Sequence, residues 1–465
     1  MTQSKLFELF AIIRGKRKKD LDTFASMSSN HLSDRDEVLM QHILKALKKN
    51  QMIDEEAFVA KYLKEEEKKN WNRIKNRMGK LLYKYFLMEI MEDQPMLELY
   101  LLTSFFYRQD LQKNCSSLMK KGLNLLEKGK NFDEKRSLYQ YWLHELAVDK
   151  EKNVRKHSEQ LQKMGAALDT YYFENKLRQL CEQINRKLII NAKEHCTPFI
   201  TFLEQEAHPL QSLGVKIYYQ VFKMLTTERV LYFNNIQSLL AANKAQLTQK
   251  YRKEIFDHLL NFCIRKINAG TIVYAVKYLK LIDDLIEQKL FLAHQKLSHL
   301  RYKNCITISL IANDIDWAET FSRQYREYLE ADQKDLAVYF NQAHIAFYKK
   351  EYDQAHTLLL KAAPKDMYYK IAFDKLWLKL AYHQLQRGKF DRMMLKKRIT
   401  SIRGMINKQE KLNDQRKSMT LFFLSCMQKL VNNKVVSTQK LLGKVPIVDY
   451  LWLKKLKQKG VASKK

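Results

Sequence analysis

Helix breakers are scarce in this chain: 11 Gly and 5 Pro are spread over 465 residues, where average usage is about 7% and 5%. Sheets with tight turns and phosphate-cradling loops depend on such residues, so most of the chain lacks the punctuation for either. Apolar residues recur instead at helical spacing. In Asp335 to Tyr348 the set Leu336, Tyr339, Phe340, Ala343, Ala346 and Phe347 follows i, i+3, i+4, i+7. Strict two-residue alternation is hard to find. The breaks that remain read as helix boundaries: Thr197-Pro198 and His208-Pro209 place proline at a first helical position, and Ser33-Asp34 opens a helix with Glu37 nearby. The fold class predicted is all-α, with about twenty helices and no sheet.

Hydrophobic residues make up 46% of the chain, enough to bury a core despite the charge. A single core stops growing at roughly 250–300 residues, so several domains or a repeat architecture is expected. Turn markers at Thr226, Gly270, Asp314, Glu351 and Gly388 are spaced by 44, 44, 37 and 37 residues, the period of a stacked helix-turn-helix repeat.

The clearest unit is Asp335 to Pro364, in which Phe347 and Tyr348 end one helix, Lys349-Lys350-Glu351 turn, and Tyr352 opens a second. Ala355, Leu359 and Ala362 match the small, bulky, small pattern of a tetratricopeptide second helix, where small residues let paired helices approach. The turn is about one residue short of that pattern, His344 stands at the early Gly position, and Pro364 comes early. A weaker copy, Lys379 to Met394, has Met393 where Ala is expected. Another places Trp317 and Ala318 after the helix Tyr302 to Ala312. The first 150 residues do not share the period. Helices are expected there near 35–49, 55–68, 71–92, 96–108, 110–129 and 134–148. The expected organisation is a helical domain over 1–150, a helical-pair repeat solenoid over 151–445 and a basic C-terminal helix and tail over 446–465.

The run Leu168 to Glu182 (LDTYYFENKLRQLCE), then Tyr302-Lys303-Asn304, Trp317 to Phe321 and Asn341 to Ala355, together resemble a family of uncharacterised all-helical, tetratricopeptide-like proteins common in Bacteroidetes-type bacteria. Order and spacing cover most of the chain. The resemblance implies an all-helical fold and no particular activity.

Several kinds of chemistry lack their motifs. The longest uncharged stretch around an apolar segment, Val230 to Asn243, falls short of the roughly 18 apolar residues a membrane span needs. The apolar segment Leu6 to Ile13 carries Glu8 and leads into Arg14, Lys16, Arg17, Lys18 and Lys19 without a small-residue cleavage site, so no signal peptide is expected and the location expected is cytoplasmic. The six cysteines are each at least 15 residues apart. That spacing gives no C-x-x-C motif and points to buried, reduced thiols. None of the Gly-Lys pairs has the Gly five positions earlier or the following Ser or Thr of a phosphate loop. His195 and Cys196, with Glu194 beside them, are one ligand-type pair where zinc needs about three or four ligands converging. Glu204 and Glu206 point about 200° apart on a helix, too far for one reaction centre. Glu65, Glu66 and Glu67 are expected to form surface pairs at i, i+4. No catalytic, metal or cofactor residue is assigned, and no cofactor is expected.

The basic balance is the feature that points to a partner. The chain carries 83 Lys+Arg against 51 Asp+Glu, and residues 351–465 hold 26 of the basic and 8 of the acidic residues. Candidate polyanion-binding residues are Lys396, Lys397, Arg398, Arg403, Arg416, Lys417, Lys454 and Lys455, whose phosphate contacts would release counterions. Lysine outnumbers arginine 62 to 21, and arginine is better suited to bidentate phosphate recognition, so a solvated face accounts for the same counts. Arg14 to Lys19 could lie at an anionic membrane surface or simply start a solvated helix. Arg73, Lys75, Arg77, Lys80 and Lys84 follow one another as on a groove-reading helix, with no recognition pattern beside them. Tyr171, Tyr172 and Phe173, like Phe347 and Tyr348, fall at core spacing. Candidate repeat-packing residues are Trp317, Ala318, Phe347, Tyr352, Ala355, Leu359 and Ala362. The function expected is a non-enzymatic helical-repeat scaffold binding a protein partner. The alternative is a sequence-tolerant binder of RNA, DNA or another polyanion.

Overall fold

The computed structural model describes the chain apart from residues 1–4, 14–17, 30–31, 52, 129–134, 152–157, 190–211, 293–294, 365, 411, 413, 435, 437–440, 442–443 and 463–465. The described residues are all-α, with 22 helices and no strands. Helices α1 to α10 are Lys5–Ile13, Lys18–Ser29, Asp34–Lys48, Glu55–Tyr62, Glu65–Lys69, Trp71–Glu92, Pro95–Arg108, Gln112–Lys128, Arg136–Val148 and Glu159–Ile189. Next come α11 Leu213–Thr227, α12 Val230–Ala242, α13 Gln249–Asn268, α14 Val273–Glu287, α15 His299–Ile311 and α16 Ile315–Tyr325. The last are α17 Ala331–Tyr348, α18 Tyr352–Leu360, α19 Met367–Gln386, α20 Arg392–Asn407, α21 Asp414–Val431 and α22 Ile447–Ala462.

Two compact units divide the chain: Met1–Lys128 with Tyr139–Met164, and Gly129–Leu138 with Gly165–Lys465. The expected boundary at 150 falls inside the first unit, because the continuous helix α10 carries the change to Gly165. The helix expected within residues 446–465 is not set apart from the solenoid either, and residues 463–465 of the expected tail lie outside the described residues. Ile447, Trp452 and Leu453 of α22 are buried in the same core as α17, α19 and α21.

In the first unit, α1 to α6 enclose one core of Phe7, Phe10, Phe24, Ile43, Met78 and Leu82. Ser33 caps α3 as its sequence predicts, accepting the Asp36 amide at 3.3 Å. Smaller cores hold α7 to α9 together around Leu99 and Leu143 and around Cys115 and Met119. Gly122 is required there, since a Cβ would come within 2.6 Å of Leu99 Cδ2 and 2.8 Å of Leu143 Cδ1. Glu67 departs from the expected i, i+4 pairing: it takes two bonds from Arg35 of α3, at 2.6 and 3.1 Å. Those bonds, with the Lys64 amide, lower its carboxyl to about 2.

The second unit is built on a recurrent helix pair. The first helices α11, α13, α15, α17, α19 and α21 each end beside a residue in left-handed conformation: Glu228, Gly270, Asn313, Lys350, Gly388 and Asn433. Such a residue at a helix end satisfies orphan carbonyls and turns the chain sharply, and only Gly270 and Gly388 reach it without a Cβ penalty. The intervals are 42, 43, 37, 38 and 45 residues. Counting back seven from the turn in α13 to α21 gives Cys263, Ile306, Ala343, Ala381 and Cys426, all buried. Counting forward five gives Ala275, Ala318 and Ala355, each fully buried at the crossing of the paired helices. The fifth pair starts its second helix two residues later, so Leu395 takes that buried place and Met393 is 59% exposed.

The remaining repeat-packing candidates lie in these interfaces. Leu359 and Ala362 are buried, as is Phe347. Trp317 stacks on Phe321 at 4.8 Å, and Tyr352 stacks on His383 of α19 at 4.3 Å. Tyr172 departs from core spacing: it is exposed beside buried Phe173.

Candidate functional site

Counting back nine from the left-handed residue gives Asn261 in α13, Asn304 in α15, Asn341 in α17 and Lys379 in α19. This register puts a polar side chain on the same face of these four of the six first helices. At its early end, Asn261 and Asn304 join Asn185 and Arg186 of α10 in lining a cleft of about 380 Å3. The carboxylates that line it are matched by arginines, Glu182 by Arg186 at 2.9 Å and Asp257 by Arg301, and outside the lining Arg178 pairs with Glu254. Tyr218 donates to Glu254 at 3.0 Å. Beneath the cleft the Asn185 amide meets His258 Nδ1 at 2.7 Å, and burial lowers this histidine to about 4, so it is neutral.

The later end differs. Asp449 of α22 is buried between two lysines of α19, Lys375 at 2.9 Å and Lys379 at 2.7 Å. Burial alone would raise its carboxyl, but the two ammonium groups outweigh this and hold it low. Both lysines lie over the Phe423 ring, and Lys379 also over Trp452. Next to them His344 is buried with no partner for Nδ1, and burial lowers it to about 3.

Lys303 of α15 completes this group. Ten residues before the turn, the other first helices carry Tyr218, Leu260, Phe340, Leu378 and Phe423, all buried. In α15 that position is lysine. Its ammonium lies 4.9 Å over the Tyr369 ring and has no hydrogen-bond acceptor among the described residues. Burial lowers it to about 8, with Asp366 opposing and Arg416 and Lys375 adding repulsion. Tyr369 reaches from α19 past α17 to donate to the His299 carbonyl of α15 at 3.2 Å, and the Asn341 amide donates to Tyr369 Oη at 3.2 Å.

The basic residues singled out from sequence do not meet in one place. Lys396 and Lys397 lie on the second helix α20, partly and fully exposed. Arg398 turns inward to buried Asp374 at 2.7 Å and covers Trp377. Arg403 approaches Ser425 at 3.5 Å, Lys417 donates to the Asn407 carbonyl at 2.9 Å, and Lys454 is exposed. Lys455 lies over Tyr348 at 5.8 Å. Arg416 alone among them acts on Lys303. Lys303, Lys375, Lys379 and Asp449 carried no local motif. The one signal for Lys303 was a charge at an apolar register position.

Elsewhere, Lys75 bonds Glu55 at 2.9 Å and Arg77 bonds Asp36 at 2.7 Å, so two cations of that helix face serve the first unit's own packing. His195, Cys196, Glu204, Glu206 and the basic run at 14–17 lie outside the described residues. The five described cysteines are free and buried, and no described group of three or more His, Cys, Asp and Glu could hold a metal ion. Among the described residues no helix is long and apolar enough to cross a membrane. No family model matches the chain, and neither does any curated protein or solved structure.

Proposed function

We propose that this chain is a non-enzymatic, cytoplasmic helical-repeat scaffold of tetratricopeptide-like kind, holding a segment of a protein partner along the face of its first helices. One observation carries the reading: Asn261 and Asn304 stand in register on successive first helices, line one cleft with Asn185, and their side-chain amides make no hydrogen bond to any described residue. A side-chain amide both donates and accepts, so a row of them suits the alternating N–H and C=O groups of an extended peptide. The matched Arg178–Glu254 and Arg301–Asp257 pairs leave this end with little net field, which favours a partner's backbone over a polyanion. Buried free thiols are in keeping with a reducing compartment.

A photo-crosslinking residue placed at Glu182 or Ile264, which line the same cleft, should capture in the host a protein segment that the same probe at exposed Lys397 does not. Asn261→Ala with Asn304→Ala should abolish that capture without moving Tm. Equal crosslinking from all three sites, or no protein captured from the cleft, overturns the proposal.

A further inference from the structure

We infer that the exposed face of α7 docks, antiparallel, on the same face of a second copy of this chain, giving a two-fold symmetric dimer. This goes beyond the peptide-holding cleft, because it lies on another element and needs no foreign partner.

The inward side of α7 is fully used. Leu99 and Phe106 pack in the cores shared with α8 and α9, and Thr103 is buried and donates to the Leu99 carbonyl at 2.7 Å. The outward side carries Leu101, Leu102 and Phe105, which are 48%, 43% and 54% exposed. On a helix of 3.6 residues per turn these three fall within about 100° of arc, the width of the stripe that a helix normally buries. Scattered exposed apolar residues are ordinary, whereas a contiguous stripe calls for something to cover it.

The occupant follows from the charges at the two ends of that stripe. Glu98 stands one turn before it and Arg108 one turn after it, and the five residues together span about 120° of arc. Both charged residues are exposed, and neither forms an ion pair with any described residue. In a two-fold symmetric contact residue i faces j, and j faces i. A single antiparallel register, centred on position 103, sets Glu98 against Arg108 of the second copy at both ends. The same register sets Leu101 against Phe105 and leaves Leu102 beside the two-fold axis, because both pairs are symmetric about 103. The face is thus its own complement, in apolar contacts as in charge. A parallel pairing would instead bring like charges together. An acid in the first turn and a base in the last also suit the dipole of α7 itself, but the dipole gives no account of the apolar stripe between them. One helix face supplies less than the roughly 800 Å2 per partner of a standard interface. The dimer expected is therefore weak, with Kd on the order of 10 μM, and the ion pairs chiefly fix its register.

Sedimentation velocity on the full chain, from about 1 to about 200 μM, should show the average mass rising from one chain toward two. Leu102→Glu, a change at an exposed position that leaves folding nearly untouched, should hold the chain monomeric throughout. Glu98→Arg and Arg108→Glu should each weaken the dimer about tenfold, since like charges then face one another at both ends. Mixing E98R with R108E restores opposite charges at both ends, so the mixture should dimerise at a concentration where neither variant alone does. A wild-type chain that stays monomeric over this range overturns the proposal. So does a dimer that L102E leaves intact, which places the contact elsewhere, or a mixture that associates no better than its two components, which removes the antiparallel register.

Discussion

Along one face of the first helices, the early end pairs carboxylates with arginines one to one, whereas at the later end two lysines share one buried aspartate. Arg178–Glu254 and Arg301–Asp257 are closed units between planar forks and carboxylates. The group of Lys375, Lys379 and Asp449 shares one carboxylate between two compact ammonium charges held over aromatic rings. Equal residue types thus serve different ends. A one-to-one pair fixes the position of a helix, and a carboxylate shared by two lysines ties one helix to another through a single buried charge.

The sharpest way to break this comparison is to remove one acid from each end. Asp449→Ala leaves two buried ammonium groups without a counter-charge and should cost about 3–5 kcal/mol in denaturant unfolding. Adding Lys379→Met should recover part of that loss. Glu254→Ala at the early end should cost less, about 1–3 kcal/mol, because both partners of that pair are near 30% exposed and Arg178 can turn to water. Equal costs would mean that the two ends are electrostatically alike.

Acid titration sharpens it further. His258 has a folded value of about 4, against about 6.5 in an unfolded chain. Between those values the unfolded state binds the extra proton, so stability is full above pH 6.5 and is lost as pH falls toward 4. The loss approaches about 3 kcal/mol. Burial is the main cause, with Glu182 opposing and Arg265 and Arg178 adding to it. His258→Asn, which keeps an acceptor for Asn185, should flatten this limb of a Tm-against-pH curve. An unchanged curve would show that His258 does not titrate in isolation.

The same two histidines separate the ends by substitution. His258→Leu strands the Asn185 amide, now 2.7 Å from Nδ1, and should cost about 1–3 kcal/mol. His344→Leu removes a ring whose Nδ1 has no partner, and should be neutral or stabilising in thermal unfolding. A large loss at 344 would mean that its imidazole is bonded in solution.

Much of the fold could be read from the chain because its determinants are local. A helix boundary needs only a cap or a left-handed residue, as at Ser33, Gly270 and Gly388. A paired helix needs only a small residue at a fixed distance, as at Ala318 and Ala355. The second helix of the fifth pair escaped because two extra residues in its turn shift the register from Met393 to Leu395. The lysine–aspartate group at the later end escaped for a different reason. Lys375 and Asp449 are separated by 74 residues, and no spacing rule connects them. Lys303 could have been found only by aligning the helices on their turns, after which a charge in a column of Leu and Phe stands out. Counting basic residues instead drew attention to Lys396 and Lys397, whose helix is the outward partner of the pair.

Those two lysines give the smallest expected effect and bear on the polyanion alternative. Each projects from α20 with no ion pair to any described residue, so Lys396→Ser with Lys397→Ser should change stability by no more than about 0.5 kcal/mol. If this helix tracked a nucleic-acid backbone, the double variant would remove two phosphate contacts. The slope of log K against log salt for a generic RNA would then become shallower by about 2. The expected result is no change in slope, because their neighbour Arg398 is drawn inward onto Asp374 and Trp377 and the helix presents no continuous basic row. A shallower slope would move the binding surface from the first helices to the second, and with it the significance of the positive charge concentrated after residue 350.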